Sequence, residues 1–324
     1  MILITNSNSQ VITIELQRFN PTPICLQDDA AHTPRILGNI ETWYYDAIFD
    51  NNYSMACVVN VFHFLKTGLV LSGLFIYKDT HLLKCVRTRT PMKHFHGLHE
   101  RPHLVLQDKT IIDAETIRSP KEWTSHVVLG DEKNNVDLRF LKKIEGWKGN
   151  HFLGDWLVAP RLEVSGNLTV DATKISVSGS GYHDHNNYPL FAPFFGKGAN
   201  FGKIIAGPIT IVWAQVIRKN KHVDNILVIN TDDTIQSVPS NDIQLLVKDS
   251  MKDRRTLVPT KYELRVQKQD IDIDVDIQSL DCHYLTIPTV KYWRHHAKNT
   301  GKIRVGSRSE KVDSISIIDQ LTFI

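Results

Sequence analysis

The sequence predicts an all-β protein, and three observations carry that prediction. Apolar or alternating runs of strand length recur from one end of the chain to the other, Asn, Asp, Gly and Pro break them at short intervals, and no long segment keeps apolar residues at helical spacing. Many short strands with turn signals between them pack as sandwiches or barrels.

Taken in order, the first run is Val11–Leu16. Trp43–Phe49, Met55–Leu65, Leu69–Tyr77 and Leu82–Val86 follow. The middle of the chain supplies Ser125–Leu129, Val136–Leu141, Asp155–Val158, Leu162–Val170, Ile175–Ser178, Ile209–Ile217 and Ile226–Ile229. The last third adds Ile243–Val247, Tyr262–Val266, Ile271–Ile277, Tyr284–Ile287 and Ser314–Ile318. Residues Asp270–Ile277 alternate throughout, which sets aspartates on one face of a strand and β-branched residues on the other. The acidic face is expected in solvent, because carboxylates in a line do not wrap a calcium ion.

At 324 residues the chain exceeds the usual size of a single core, so one large or two medium domains are expected. A net charge of +3 on so long a chain spreads no field that would gather nucleic acid, and no nucleic-acid partner is expected. Cys25, Cys57, Cys85 and Cys282 lie far apart with no Cys-x-x-Cys pair, and read as buried thiols. The N-terminus has neither a basic leader nor a sustained apolar region, and no window reaches the ~18 apolar residues of a membrane span. A cytoplasmic protein, peripheral to a membrane at most, is the expectation. Between Lys291 and Arg308 the chain carries Arg294, Lys298, Lys302 and Arg304 with no acid, which suits either a solvated face or contact with phosphate head groups.

Two stretches hold the candidate chemistry. Pro91–Pro102 reads as an irregular loop with His94, His96 and His99, followed by His103; it is expected to border a pocket, although zinc ligation is compatible with the spacing. Ser178–Pro189 packs Tyr182, His183, Asp184, His185, Asn186 and Tyr188 behind a glycine-loosened strand. If this segment is extended, Tyr182, Asp184 and Asn186 share one face and His183 and His185 the other. That split opposes convergence of His183, Asp184 and His185 on a metal. With no Lys or Arg near it in sequence, Asp184 is not an ordinary ion-pair member.

Glu41-Thr-Trp43-Tyr44-Tyr45-Asp46-Ala47 resembles the Glu-Trp-Trp-Tyr-Phe-Asp-Ala signature of the lipocalin-like carotenoid 1,2-hydratase (hydroxyneurosporene synthase) family. Gly181 to Asn186 resembles that family's Tyr-x-Asp-His-Asn motif, and Gly154-Asp155-Trp156 stands where a Trp segment precedes it. The family is similar to the fungal decalin-forming Diels-Alderases and to kievitone hydratase. The resemblance implies two packed lipocalin-like β domains, here 1–190 and 191–324, with a ligand pocket between or inside them. Thr42 stands where the family has its first Trp, and Asn187-Tyr188-Pro189 replaces a Trp-Gly, so the likeness bears on architecture more than on substrate.

Adding water to an isolated alkene needs a strong proton donor beside an apolar site, and desolvation can keep a carboxylic acid protonated near neutrality. Asp184 is the expected acid, Tyr182 its hydrogen-bonding partner and Asp155 the reserve. Trp43, Tyr45, Trp156 and Trp213, with Phe201, are expected to wall the substrate and stabilise a cation by roughly 0.5–2 kcal/mol per ring. Asn186, His183 and His185 complete the expected contacts, the histidines supporting the segment from behind. The expected reaction is hydration of a carbon–carbon double bond in an isoprenoid or polyprenyl lipid, an archaeal-type hydroxylated ether lipid among them, without metal or cofactor. Cyclisation of a polyene and passive carriage of a lipid are the alternatives.

Overall fold

The computed structural model describes residues 3–5, 11–13, 19–34, 38–64, 67–119, 122–232, 234–287 and 290–323. β1 (Leu3–Thr5) and β2 (Val11–Thr13) form a ribbon of their own. β3 (Thr22–Pro23), β4 (Asn39–Phe49), β5 (Tyr53–Phe64), β6 (Thr67–Lys78), β7 (His81–Pro91), β8 (Phe95–Gly97), β9 (His103–Leu106), β10 (Lys109–Ser119), β11 (Glu122–Gly130), β12 (Asn135–Lys142), β13 (Trp147–His151), β14 (Gly154–Val170) and β15 (Thr173–Pro189) make the first large sheet. β16 (Gly196–Ala206), β17 (Ile209–Arg218), β18 (Val223–Asn230), β19 (Ile235–Ser237), β20 (Gln244–Asp253), β21 (Thr256–Gln267), β22 (Ile271–Ile287), β23 (Val290–Val305) and β24 (Arg308–Phe323) make the second. Among the described residues there is no α-helix. The expected all-β class is therefore the observed one.

The first sheet runs β7-β6-β5-β4-β15-β14-β12-β11-β10-β9-β8 and curls into a nearly closed barrel; the second runs β19-β18-β17-β16-β24-β23-β22-β21-β20. Each encloses its own core. Trp43, Tyr45, Val59, Leu138, Phe140 and Val164 fill the first, and Ile211, Trp213, Leu227, Tyr262, Ile273 and Ile303 fill the second. A third apolar layer lies between the sheets, with Tyr44, Trp156 and Tyr182 on one side and Val212, Ala214 and Val228 on the other. β4 and β15 are thus buried on both faces, and this is why Trp43 to Phe49 reads as a nearly unbroken apolar run.

Several local expectations change. Asp155–Val158 and Leu162–Val170 belong to one strand, β14, whose register shifts between Ala159 and Leu162, where Pro160 cannot donate to the ladder. The first expected run is a strand only over Val11–Thr13, and residues 14–16 lie outside the described residues. The acidic ladder stands as expected: Ile273, Val275 and Ile277 are fully buried, and Arg265 pairs with Asp274 and Asp276 outside. The cysteines depart from expectation. Cys57 is buried, Cys25 and Cys282 are half-buried, and Cys85 is exposed because it sits on an outward position of β7, an edge of its sheet. Nor is Lys291–Arg308 one basic face. It forms β23 and the turn beyond it, the strand is buried on both faces from Trp293 to Ala297, which takes in Arg294, His295 and His296, and Lys298 pairs with Asp313.

Candidate active site between the two sheets

β15 builds the site by alternation: Tyr182, Asp184, Asn186 and Tyr188 leave its outer face, and His183 and His185 its inner face. The register with β4 repeats the pattern. Asp184 lies opposite Tyr44 and Asn186 opposite Thr42, whereas His183 lies opposite Tyr45 and His185 opposite Trp43.

The outer side chains are linked at every second residue. Tyr182 Oη donates to Asp184 Oδ2 at 2.9 Å, Asn186 Nδ2 donates to Asp184 Oδ1 at 2.8 Å, and Tyr188 Oη donates to Asn186 Oδ1 at 2.6 Å. Burial pushes the Asp184 carboxyl up to about 6, against the Tyr182 hydroxyl, which favours the charged form. The indole N–H of Trp156 favours the charge as well, although it meets no acceptor at hydrogen-bonding geometry. A carboxyl poised near 6 can hold a proton and give it up close to neutral pH.

Asp184 lines a cavity of 790 Å³ between the sheets. Val58, Phe62, Leu71 and Phe75 come from the first sheet, Phe201 and Leu321 from the second. Its charged groups are few: Asp184, the pair Arg294 and Asp319, and the exposed Arg87 and Arg89. Arg294 Nε donates to Asp319 Oδ1 at 2.8 Å and Nη2 to Tyr292 Oη at 3.1 Å, while the guanidinium lies 5.1 Å from the Phe75 ring centre and 5.2 Å from that of Tyr44.

Behind β15, inside the first barrel, a second polar group holds the strand. His185 Nε2 meets Glu41 Oε1 at 3.0 Å and Nδ1 meets Asp29 Oδ1 at 3.1 Å, and the ring stacks on Trp43 at 4.2 Å. His183 bridges the Tyr44 carbonyl and Asp29 and stacks on Tyr45 at 4.0 Å. Burial works to drive the proton off His185, but Asp29 and Glu41 outweigh it and lift the imidazole to about 9. Burial likewise opposes the charge on Glu41, yet His185, His32 and His63 hold it well below the carboxylate range. His32, Glu41 and His185 are the described residues whose metal-ligating atoms converge. Glu41 Oε1 accepts from His32 Nδ1 at 2.7 Å and from the His32 backbone N–H at 2.8 Å as well as from His185, so this oxygen is engaged within a hydrogen-bond network, while Glu41 Oε2 and His185 Nδ1 have no partner at hydrogen-bonding geometry.

These positions correct several expectations. Trp43 and Tyr45 are inside the first barrel, on the opposite face from Asp184; Tyr44 is the residue of that signature which lines the cavity. Trp213 is buried in the second barrel against Tyr262. Asp155 borders a different space, a polar groove of 1130 Å³ that also takes in His99 of the His94–His103 loop and one edge of His185. Trp156 stands between groove and cavity, 5.8 Å from the Phe201 ring. His183 and His185 support the strand and do not line the cavity. His103 pairs with Asp113. Asp319 and Phe75 escaped the sequence reading, Tyr44 was quoted in the signature without a role, and Arg294 was read only as one member of a basic stretch.

No family model matches the chain, and no curated protein matches it in sequence. Solved structures do match in fold. A protein provisionally named AttH, from Nitrosomonas europaea, superposes with a TM-score of 0.64 at 13% identity, over 92% of this chain and 96% of that one. Kievitone hydratase from Nectria haematococca gives 0.58 at 10% identity, over 94% and 97%. CghA with Sch210972 gives 0.54 at 12% identity, over 94% and 95%. The two-barrel, lipocalin-like fold is shared.

Proposed function

We propose that this chain hydrates a carbon–carbon double bond of an isoprenoid or polyprenyl substrate held in the cavity between the sheets. The observation that carries the proposal is a buried carboxyl, Asp184, raised to about 6 in a space whose walls are mostly aliphatic and aromatic. Asp184 transfers its proton to one alkene carbon, leaving a cation on the other. Water adds to that cation and loses a proton to the Asp184 carboxylate, which restores the acid. Tyr182 and Asn186 hold the carboxyl in one orientation throughout. The rings of Tyr44, Phe75 and Phe201 line the space in which the cation forms, and a π face favours positive charge. No cofactor enters the scheme.

Kievitone hydratase, similar in fold, is by its name a hydratase, and the Tyr-x-Asp-His-Asn resemblance points the same way. A second reading is favoured by the cavity volume: 790 Å³ accommodates a folded polyene, and catalysis would then consist mainly of holding the reacting carbons together. The similar CghA fold takes up Sch210972, a bound small molecule. Polyprenyl substrates supplied in ¹⁸O-labelled water distinguish these readings. Hydration predicts a product heavier by one labelled water. A ring-closed product of unchanged mass would replace it by the cyclase reading, and saturable binding without turnover would leave a carrier.

A further inference from the structure

We propose that Arg294 is the anchor for an oxyanion at the polar end of the substrate, so that the cavity takes an apolar chain with an anionic head group. The inference rests on the cavity being the substrate site. Arg294 lines that cavity with a side chain 1% exposed. Its Nε is used by Asp319 and its Nη2 by Tyr292, but Nη1 is buried with no hydrogen-bond partner. The Tyr77 hydroxyl, engaged with His283 at 3.1 Å, lies close enough to the guanidinium for a charge and hydrogen-bonding influence, yet Nη1 has no partner at hydrogen-bonding geometry. Buried donors are almost always satisfied, and an unfilled one on a residue that lines a cavity is a candidate for a ligand acceptor.

The charge balance selects the kind of acceptor. Three cations, Arg87, Arg89 and Arg294, line the cavity against two carboxylates, Asp184 and Asp319. The cations outnumber the carboxylates among the lining residues, which favours an anion above a hydroxyl. The shared chemistry is an oxyanion, supplied by a carboxylate or a phosphate ester.

Binding of three probes with one isoprenoid chain, ending in a carboxylate, a monophosphate or an alcohol, tests the proposal. At least one anionic probe is expected to bind about 10- to 100-fold more tightly than the alcohol, the advantage of a charge-assisted hydrogen bond away from water. Which anion is preferred identifies the source of the oxyanion. Arg294→Gln combined with Asp319→Asn replaces the ion pair by neutral amides of similar shape and is expected to erase the preference while keeping alcohol binding. Equal binding of all three probes by the unaltered chain, or a preference that survives the double substitution, would overturn the proposal. Asp184→Asn separates this outcome from the functional reading: it is expected to stop hydration and leave the anion preference in place.

Discussion

Asp184 is held between two opposed influences, burial that raises its proton affinity and the Tyr182 hydroxyl that lowers it. With Asp184 as the proposed acid, turnover is expected to fall as pH rises through about 6. Removing the hydroxyl with Tyr182→Phe takes away a lowering influence, so the inflection of the pH–rate profile is expected to move to higher pH; an unmoved inflection would show that another group sets it. At this scale the sequence was half legible. Alternation correctly separated Tyr182, Asp184 and Asn186 from His183 and His185, and the same rule applied to the Glu41–Ala47 signature would have turned Trp43 and Tyr45 away from the acid. Arg294 and Asp319 could not be joined to Asp184 by any local rule, because their strands meet it only through packing of one sheet on the other.

β15 works as a two-sided element, with chemistry proposed for its outer face and an ionic brace on its inner one. His185 holds its proton up to about 9 against an ordinary value of 6.5, so its contribution to stability is complete below about 6.5 and is lost as pH rises through about 9. Asp29 and Glu41 are shifted down, and their contributions are lost instead in acid. The melting temperature is expected to decline between pH 7 and 9.5, and His185→Gln to lower it at pH 6 and flatten that decline. The glycine that loosens the strand has a packing reason: a Cβ on Gly181 would lie 2.5 Å from Val164 Cγ2 and 2.8 Å from the Asp46 carbonyl oxygen. Gly181→Ala is expected to destabilise by about 1–3 kcal/mol in chemical denaturation. Strands of alternating apolar residues were plain in the sequence, whereas β16 was hidden by Gly196, Gly198 and Gly202, and β23 by its lysines, arginines and histidines. Gly202 is there because the Trp213 ring fills the space a side chain would need.

The whole molecule is a nearly closed barrel packed on a second sheet, and the candidate site lies in their contact. An ion pair is buried in that contact: Lys203 Nζ lies 2.5 Å from Asp46 Oδ1 and 2.6 Å from Oδ2. Burial raises the proton affinity of Asp46 despite Lys203, so removing the lysine strands a desolvated carboxyl. Lys203→Met is expected to cost about 3–5 kcal/mol, much of it recovered when Asp46→Leu is added; a single substitution without effect would show that the pair does not hold the sheets together. The all-β class was legible because alternation and breakers are local, but the cavity was not, since its walls come from strands far apart in sequence. The central claim, that Asp184 protonates the substrate, is tested most directly by the turnover of Asp184→Asn in labelled water. The substitution keeps the side chain's size and removes its proton, and hydration is expected to fall at least about 100-fold with ligand binding retained. Survival of most of the activity would contradict it.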